Sequence, residues 1–295
     1  MSSHKTDYGI IVGVDGSVAS DAAVIWAAHE AVMRGVPLTL THVENPAAPT
    51  WAQAPLLERL KGWQQTEGRD MLASAFKMAY DTAADGARIQ INGELLFAAT
   101  VPTLVDMSRR AAMVVVGTDG RGAMARGLLG SVSSGLVRHA YCPVAVVRDQ
   151  QAASSQPTQK SVLVGIDCSP SSELAIKIAF EEASLRGAAL IALHAWTDRE
   201  LVELPGIDWA EVEAEERRAL AEALAGWQER YPDVTVAQRL VGDRPARALL
   251  DASHSTQLIV VGTRGRNVLA RVLGSVSNAV VQSAEVPVIV ARPSR

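Results

Sequence analysis

Two glycine-rich loops, each between an apolar run and a helix-like run, have the composition of an anion-binding site. The first lies in residues 113–134, which read MVVVGTDGRGAMARGLLGSVSS. Glycine lets backbone amides approach a phosphate, and a helix N-terminus adds N–H groups and the positive end of the helix dipole. Ser131 and Ser133 add hydroxyl donors on the same side. The pattern therefore predicts that this loop binds a phosphate or a similar anion.

A second copy of this arrangement lies near the end of the chain. Residues 258–278 read LIVVGTRGRNVLARVLGSVSN, again an apolar run, a glycine-rich loop and a Gly-Ser pair that opens a helix-like run. Asp15 and Asp167 lie 152 positions apart, and so do His42 and His194, which we interpret as packed imidazoles at strand ends. A repeat that includes such distant residues predicts a tandem duplication of one domain.

Each copy alternates between short apolar runs, typical of buried strands, and longer runs with apolar residues at helical spacing. In the first copy we predict a strand and turn over 9–17, strands over 37–43, 88–94, 113–117 and 142–148, and helices over 18–34, 56–84, 102–110 and 132–139. In the second copy we predict a strand and turn over 161–169, strands over 189–195, 234–240, 258–262 and 286–291, and helices over 170–186, 208–231, 245–253 and 275–284. This alternation predicts an α/β fold with a mostly parallel sheet and right-handed crossovers.

A polar, patternless segment over 150–160 separates the two copies as a linker of the flexible type. We therefore predict one domain over residues 1–149 and a second over 161–295. A parallel α/β sheet binds its ligand at the carboxyl ends of its strands, near the point where the strand order reverses. If the first and fourth strands are neighbours, Asp15 and the glycine-rich loop face one crevice.

The composition excludes several classes of protein. Of the 295 residues, 48% are hydrophobic and 4% aromatic, so two cores must be built from Val, Leu, Ile and Ala. A net charge of −4 without a strongly basic run argues against nucleic acid as a partner. No apolar stretch reaches the ~18–20 residues of a membrane span, and residues 1–8 have no signal-peptide character. Cys142 and Cys168 have no metal or redox spacing, so we expect a reducing, cytoplasmic compartment and no metal site.

One set of residues resembles a known family. Gly117-x2-Gly120-x9-Gly130-Ser131, with Val-Asp-Gly-Ser at the end of the first strand, resembles the ATP-binding class of universal stress proteins. The resemblance covers nearly the whole chain twice, as in the tandem-domain members common in mycobacteria. It implies two flavodoxin-like or Rossmann-like domains of the HUP type, each with a five-stranded parallel sheet of order 3-2-1-4-5 and helices on both faces. It also implies a homodimer, with the two halves of one chain packed as a pseudo-dimer.

In the first half, the resemblance implies an adenine nucleotide whose adenosine lies near Asp15 and the backbone of Val43. Gly117 and Gly120 would let the loop pass close to the ribose and phosphate, and the helix start would cradle the phosphates. Arg121 either offsets phosphate charge or is merely solvated. The implied nucleotide-binding residues of this half are Gly13, Val14, Asp15, Val43, Gly117, Gly120, Arg121, Gly130, Ser131, Val132 and Ser133.

The second half has matching positions but departs from the pattern in its loop. Eight residues separate Gly265 from Gly274, where the family pattern has nine, and Asn267 stands where the first half has Gly122. We therefore expect this site to bind differently or more weakly. Its implied nucleotide-binding residues are Gly165, Ile166, Asp167, Ala195, Gly262, Gly265, Arg266, Gly274, Ser275, Val276 and Ser277.

Several of these residues also have a purely structural interpretation. Asp15 or Ser17 is suited to cap the following helix, because both side chains accept hydrogen bonds from backbone N–H groups. If Ser17 is the cap, Asp15 is left to face the ligand. Ser131 and Ser133 are also suited to helix capping without a ligand.

The resulting functional hypothesis is an ATP-binding regulatory protein of the stress response, with one adenine nucleotide site in each domain. We expect the bound molecule to be ATP, with or without Mg²⁺, with ADP or AMP as the alternative, and a downstream protein partner to read the bound state. The chain has no Walker A lysine motif and no paired carboxylates near the loop, so we assign no catalytic residues and expect weak or no ATPase activity. The alternatives are a slow ATPase and a nucleotide-free interaction scaffold.

Overall fold

The computed structural model describes residues 7–45, 54–83, 89–120, 129–149, 160–196, 208–263 and 273–293. These residues divide into two compact units, one within 7–149 and the other within 160–293. Each unit has a parallel sheet of five strands.

The first unit alternates strands and helices from its start to its end. Its elements are β1 (Ile10–Gly13), α1 (Val18–Arg34), β2 (Leu38–Glu44), α2 (Ala54–Ala83), β3 (Ile91–Phe97), α3 (Thr100–Met107), a 3₁₀ turn (Ser108–Arg110), β4 (Met113–Gly117), α4 (Ser131–His139) and β5 (Val144–Val147). The strand order is β3-β2-β1-β4-β5, with all neighbours parallel. The order reverses between β1 and β4, so α1 and α2 cover one face and α3 and α4 the other, as right-handed crossovers require.

The second unit repeats this architecture. Its elements are β6 (Ser161–Ile166), a 3₁₀ turn (Pro170–Ser172), α5 (Glu173–Leu185), β7 (Leu190–Ala195), α6 (Trp209–Arg230), β8 (Val236–Val241), α7 (Pro245–Ser253), β9 (Thr256–Gly262), α8 (Ser275–Ser283) and β10 (Val288–Ala291). The order β8-β7-β6-β9-β10 is again that of a sheet numbered 3-2-1-4-5. The predicted α/β class and strand order are therefore confirmed in both halves.

The sheet cores consist of the β-branched and aliphatic residues that the composition requires. The central strands β1, β4, β6 and β9 are almost wholly buried, as expected where helices cover both faces of a parallel sheet. Helix α1 begins after Ser17, whose hydroxyl accepts from the Ser20 N–H at 3.1 Å. It ends at Gly35, whose φ of 62° lies in the left-handed region that favours glycine. Both ends were predicted from these residue types.

Some predicted boundaries are wrong, and strand pairing explains the largest error. We predicted a strand over 88–94, whereas β3 runs three residues further along the chain. Its register against β2 extends from Leu38↔Ile91 to Glu44↔Phe97, so β3 ends where its neighbour ends. The helix predicted over 170–186 instead opens with a 3₁₀ turn, and the one predicted over 102–110 ends in one.

Membrane-spanning helices, metal-binding clusters and disulfides are all absent from the described residues. No helix in the described part of the chain is long and apolar enough to cross a membrane. The same residues contain no group of three or more His, Cys, Asp or Glu side chains arranged to hold a metal ion. Cys142 and Cys168 are both free thiols, the first buried and the second half-buried.

Candidate functional site

A cavity of about 430 Å³ lies at the carboxyl ends of β1 and β4, where the strand order of the first unit reverses. Backbone and side chains from four places along the chain meet there: the ends of β1 and β2, the start of α3, and the segment that joins β4 to α4. A crevice at this position is where open parallel sheets bind ligands. The first unit therefore has a preformed site at the expected edge of its sheet.

The structure brings together ten of the residues predicted for the first site. These residues, all of which line the cavity, are Gly13, Val14, Asp15, Val43, Gly117, Gly120, Gly130, Ser131, Val132 and Ser133. The remaining one, Arg121, lies outside the described residues. The prediction missed seven further lining residues, which are Ser20, Thr41, His42, Thr100, Leu104, Val116 and Asp119.

The turn after β1 separates the two interpretations of Asp15 and Ser17. Ser17 is the helix cap, and its own N–H donates to Asp15 Oδ1 at 3.0 Å. The Asp15 N–H in turn donates to Ser20 Oγ at 3.1 Å. Asp15 is therefore oriented by the turn without capping the helix, and its carboxylate lines the cavity.

The loop after β4 packs directly against this carboxylate. A Cβ atom added to Gly120 would lie 2.5 Å from Asp15 Oδ2, which is closer than any real contact of that kind. Only glycine at this position leaves the Asp15 carboxylate where it is. The glycine of the loop and the aspartate of the turn thus form one compact polar corner of the site.

A second carboxylate lies next to this corner. Asp21, in the first turn of α1, has its pKa raised by burial and also by the negative charge of Asp15. Burial disfavours the charged form of a carboxyl group, and a like charge nearby acts in the same direction. The first site therefore carries concentrated negative charge at its Asp15 end.

Another part of the cavity wall is formed by the N-terminus of α4. Gly130 occupies the N-cap position and has no side chain with which to cap the helix. The first bond within the helix runs from the Ser134 N–H to the Gly130 carbonyl at 2.9 Å, so the N–H groups of Ser131, Val132 and Ser133 precede it. All three residues line the cavity. This helix end therefore has the arrangement that binds anions.

Ser133 is neither a helix cap nor a free hydroxyl donor. Its hydroxyl donates to the Gly117 carbonyl at 2.6 Å, and the residue is 4% exposed. Ser277 makes the matching bond to the Gly262 carbonyl at 2.6 Å. Each serine hydroxyl therefore links the start of a helix to the end of a strand. Only the backbone N–H of the serine would then contribute to binding an anion.

Gly117 has a packing role in addition to the predicted one. We expected this glycine to let the loop pass close to a ligand, and it lines the cavity. A Cβ atom there would lie 2.7 Å from the carbonyl carbon of Ala19 and 2.8 Å from its Cβ. The tight packing of β4 against α1 therefore also requires glycine at this position.

The second unit has a matching cavity of about 320 Å³. The predicted residues that line it are Gly165, Ile166, Asp167, Ala195, Gly274, Ser275, Val276 and Ser277. Gly262 lies at the end of β9, where its carbonyl accepts the hydroxyl of Ser277, whereas Gly265 and Arg266 lie outside the described residues. The prediction missed the lining residues Ser172, Leu193, Pro245, Leu249 and Val261.

The anion-binding end is preserved in this second site. The first bond within α8 runs from the Asn278 N–H to the Gly274 carbonyl at 2.9 Å, as in α4. The Gly274 N–H donates to the Thr263 carbonyl at 2.9 Å, and the Gly130 N–H to the Thr118 carbonyl at 2.7 Å. Each loop therefore returns to the strand from which it began.

The aspartate turn differs between the two sites. Asp167 Oδ1 accepts hydrogen bonds from the Ser169 N–H at 3.1 Å, from the Ser169 hydroxyl at 2.6 Å and from the Ser172 hydroxyl. In the described part of the chain, the Asp15 carboxylate accepts one bond, from the Ser17 N–H. One oxygen of the second carboxylate, Oδ1, is thus engaged within its own turn.

Comparisons with known proteins agree with this architecture. The profile of the Universal stress protein family matches residues 9–148 and again residues 159–292. A universal stress protein of Mycobacterium tuberculosis (strain ATCC 25618 / H37Rv) is 54% identical over 295 residues, which cover 100% of both chains. These matches confirm the resemblance inferred from the glycine-rich loops.

Solved structures extend the comparison to the fold. The crystal structure of a universal stress protein from Archaeoglobus fulgidus DSM 4304 matches 96% of this chain and 98% of its own, with a TM-score of 0.73 and 18% identity. A universal stress protein from Archaeoglobus fulgidus, solved in complex with dAMP, is 25% identical and covers 44% of this chain and 96% of its own. Its TM-score of 0.35 is too low to support an inference about this chain. On the family profile and the full-length relative, this chain belongs to the universal stress protein family and contains two of its domains in tandem.

Proposed function

We propose that each half of this chain binds an adenine nucleotide, with ATP as the ligand, and that the protein is a nucleotide-dependent regulator of a stress response. The observation that carries this proposal is the position of the α4 N-terminus. Its N–H groups border the same cavity as the Asp15 carboxylate and the end of β2 at Val43. The site therefore offers, within one cavity, hydrogen-bond donors for an anion and an acceptor for hydroxyl groups.

The cavity lining suits the phosphates, the ribose and the base of a nucleotide. The N–H groups at the start of α4 would bind the phosphates, because they are donors at the positive end of a helix dipole. The Asp15 carboxylate would accept hydrogen bonds from the ribose hydroxyls. Leu104 and Val116 give the remaining wall an apolar surface against which a base can pack. The backbone at Val43 would recognise the edge of the adenine.

The two sites should differ in affinity. Asp15 has lone pairs available to a ligand, whereas Asp167 Oδ1 already accepts from Ser169 and Ser172. The second cavity is also smaller, at about 320 Å³ compared with about 430 Å³. We therefore propose that the first site binds ATP more tightly than the second.

Binding, and not turnover, is the proposed role of ATP. A ligand that binds only the folded state stabilises it by mass action and favours whichever conformation of the protein binds it better. We expect weak or no ATPase activity, because the sequence lacks a Walker A lysine. Mg²⁺ bound to the phosphates, a homodimer, a cytoplasmic location and a downstream protein that reads the bound state belong to the same proposal.

The decisive experiment is to denature freshly purified protein and identify the released nucleotide by chromatography, in moles per chain. Close to two ATP per chain would support two filled sites, and close to one would support the predicted difference between them. ADP or AMP alone would favour the slow ATPase. No nucleotide, followed by no thermal shift with added ATP, would contradict the proposal and favour the interaction scaffold.

A further inference from the structure

Each half contains a buried histidine whose two ring nitrogens both lie beside oxygen acceptors. His42 is 5% exposed, with Nδ1 2.6 Å from the Val14 carbonyl oxygen and Nε2 3.2 Å from Glu44 Oε2. Glu44 Oε1 accepts in turn from Gln64 Nε2 of α2 at 3.0 Å. The accepting carbonyl is followed along the chain by a second carboxylate, that of Asp15 in the turn after β1.

The second half also contains a buried histidine between a carbonyl oxygen and a carboxylate. His194 is 1% exposed, with Nδ1 2.8 Å from the Ile166 carbonyl oxygen and Nε2 2.9 Å from Glu216 Oε2. The imidazole and the carbonyl occupy matching positions in the two halves, but the carboxylate does not. In the first half it comes from β2, and in the second half it comes from the long helix α6.

The long helices show that the carboxylate has changed place. Leu72 of α2 and Leu220 of α6 are the buried leucines at matching positions, 7% and 1% exposed. Four residues before each of them stand Gly68 and Glu216. A Cβ atom on Gly68 would lie 3.0 Å from the His42 ring, so α2 passes directly over this ring where α6 supplies its glutamate.

The strands show the complementary change. Two residues after His42 stands Glu44, whereas two residues after His194 stands Trp196. Each half therefore supplies a carboxylate to the histidine Nε2, from one of two alternative positions. A carboxylate that is kept while its source changes is expected if its charge beside the ring has a role.

The charge state of the ring follows from hydrogen-bond chemistry. A carbonyl and an ionised carboxylate both accept, whereas a neutral imidazole has a single N–H to donate. Only the imidazolium form donates to both partners, and a buried cation requires a paired anion. We propose that His42 and His194 are imidazolium ions paired with Glu44 and Glu216, and that they position the strand ends of the two nucleotide sites.

This positioning role rests on the proposed function, and the geometry of the first site explains how it works. The Val14 N–H donates to the Thr41 carbonyl at 2.8 Å, and the Val14 carbonyl faces His42 Nδ1. Both backbone polar groups of Val14 are therefore tied to β2. Asp15 follows Val14 and Val43 follows His42, so the ring fixes the spacing between the two residues that would hold the adenosine.

The first test is nitrogen NMR of histidine-labelled, full-length protein at pH 7.5. We expect the two buried rings to show two protonated nitrogens each. Assignment uses His42→Gln and His194→Gln. Glu44→Gln should remove the second proton of His42 and leave His194 unchanged, and Glu216→Gln should do the reverse. Glutamine retains the size of the side chain and donates to an unprotonated nitrogen, which preserves the fold.

The second test moves the carboxylate in the second half to the position it has in the first. Glu216→Ala should abolish the imidazolium pattern of His194. Adding Trp196→Glu to that variant should restore it, because residue 196 corresponds to Glu44. Failure of restoration in a folded double variant, or a single proton on either buried ring of the unmodified protein, would overturn the inference.

The third test measures ATP affinity at the first site. Glu44→Gln should weaken ATP binding roughly five- to tenfold, in keeping with the loss of a charge-assisted hydrogen bond. Glu94→Gln, a half-buried glutamate on β3, is the matched control and should leave the affinity unchanged. ATP binding that Glu44→Gln leaves unaltered would overturn the positioning role alone. Absence of ATP binding by the unmodified protein would overturn the proposed function and the positioning role with it.

Discussion

The turn after the first strand differs between the two halves, although its residues are spaced identically. Asp15 is followed at two and five positions by Ser17 and Ser20, and Asp167 by Ser169 and Ser172. In the first half Ser17 caps α1, and the Ser20 hydroxyl donates to the Gly13 carbonyl at 3.4 Å. In the second half both hydroxyls donate to the aspartate.

The two turns also differ in one residue between the serines. Val18 is the first residue of α1, whereas Pro170 occupies the matching position and opens a 3₁₀ turn before α5. In both halves the aspartate N–H donates to the oxygen of the second serine hydroxyl at 3.1 Å, and in the second half this hydroxyl also donates to the Asp167 carboxylate. Duplication has thus preserved the strands and the sheet, while the hydrogen bonds of the aspartate differ between the two sites.

The largest expected contrast comes from removing the two aspartates. Asp15→Ala should weaken ATP binding at the first site by about 10- to 100-fold, because a hydrogen bond to a charged group contributes ~1.5–3 kcal/mol. Its thermal midpoint should change little. Asp167→Ala should have a smaller effect on ATP binding and a larger effect on the thermal midpoint, because that turn loses its acceptor. Calorimetric titration with ATP and scanning calorimetry measure the two quantities. Equal losses of affinity in the two variants would show that the sites use their aspartates in the same way.

A contrast of intermediate size concerns the residue after each aspartate. Gly16 has a φ of 71°, and its counterpart Cys168 has a φ of 56°, the one positive value among non-glycine residues in the described ranges. A left-handed conformation costs a residue with a Cβ roughly 1–2 kcal/mol. Gly16→Ala should therefore destabilise the first half, and Cys168→Gly should stabilise the second, each by about 1 kcal/mol.

Urea denaturation followed by the fluorescence of each half measures both changes. Gly62→Ala, at an exposed position inside α2, is the reference substitution and should stabilise the first half, opposite in sign to Gly16→Ala. A loss of stability in Cys168→Gly would mean that contacts of the thiol outweigh the backbone preference. The opposite signs of the two substitutions are the sharpest feature of this prediction.

The smallest expected contrast concerns the second carboxylate of the first site. Burial and the charge of Asp15 raise the pKa of Asp21, so the folded state favours the protonated form. Ionisation of Asp21 therefore costs stability as the pH rises through its raised pKa. Asp21→Asn should be more stable than the unmodified protein at pH 7 and equally stable at low pH, where both side chains are neutral.

The same substitution should strengthen ATP binding about twofold at pH 7, since it removes one negative charge near an anion site. Glu173→Gln, at the matching exposed position of the second half, is the control. Thermal midpoints at pH 3 and pH 7 and a titration with ATP are the measurements, since pH 3 lies below the pKa of the aspartate in both states. A stability gain of Asp21→Asn that persists unchanged at low pH would rule out the charge as its cause.

Sequence reasoning succeeded where local chemistry determines the structure. Ser17 and Gly35 mark the ends of α1 because capping depends on neighbouring backbone groups. The ends of β3 were misplaced because they are set by pairing with β2, a partner that lies far away along the chain. The strand order was predicted from the resemblance, because the alternation of strands and helices predicts parallel strands but not the order in which they lie in the sheet.

The same distinction holds for the candidate site. Glycines and serines of the loops form a recognisable motif, and the described ones lie around the cavities or, as Gly262 does, at their edge. Thr100, Leu104 and Leu249 reach the cavities from helices whose placement depends on the whole sheet, and no short motif marks them. Gly117 was correctly singled out, but its contact with Ala19 is a tertiary feature that its neighbours in sequence do not reveal.

The bonds that return each loop to its strand have an evolutionary consequence. Thr118 and Gly130 are twelve positions apart, whereas Thr263 and Gly274 are eleven apart, yet the same backbone hydrogen bond joins each pair. Closing a loop of one residue more or less changes its entropy only slightly. Length between these anchors can therefore drift by insertion and deletion while both ends of the binding cleft keep their geometry. This gives each copy of the domain a segment in which to acquire a new specificity at low risk to its fold.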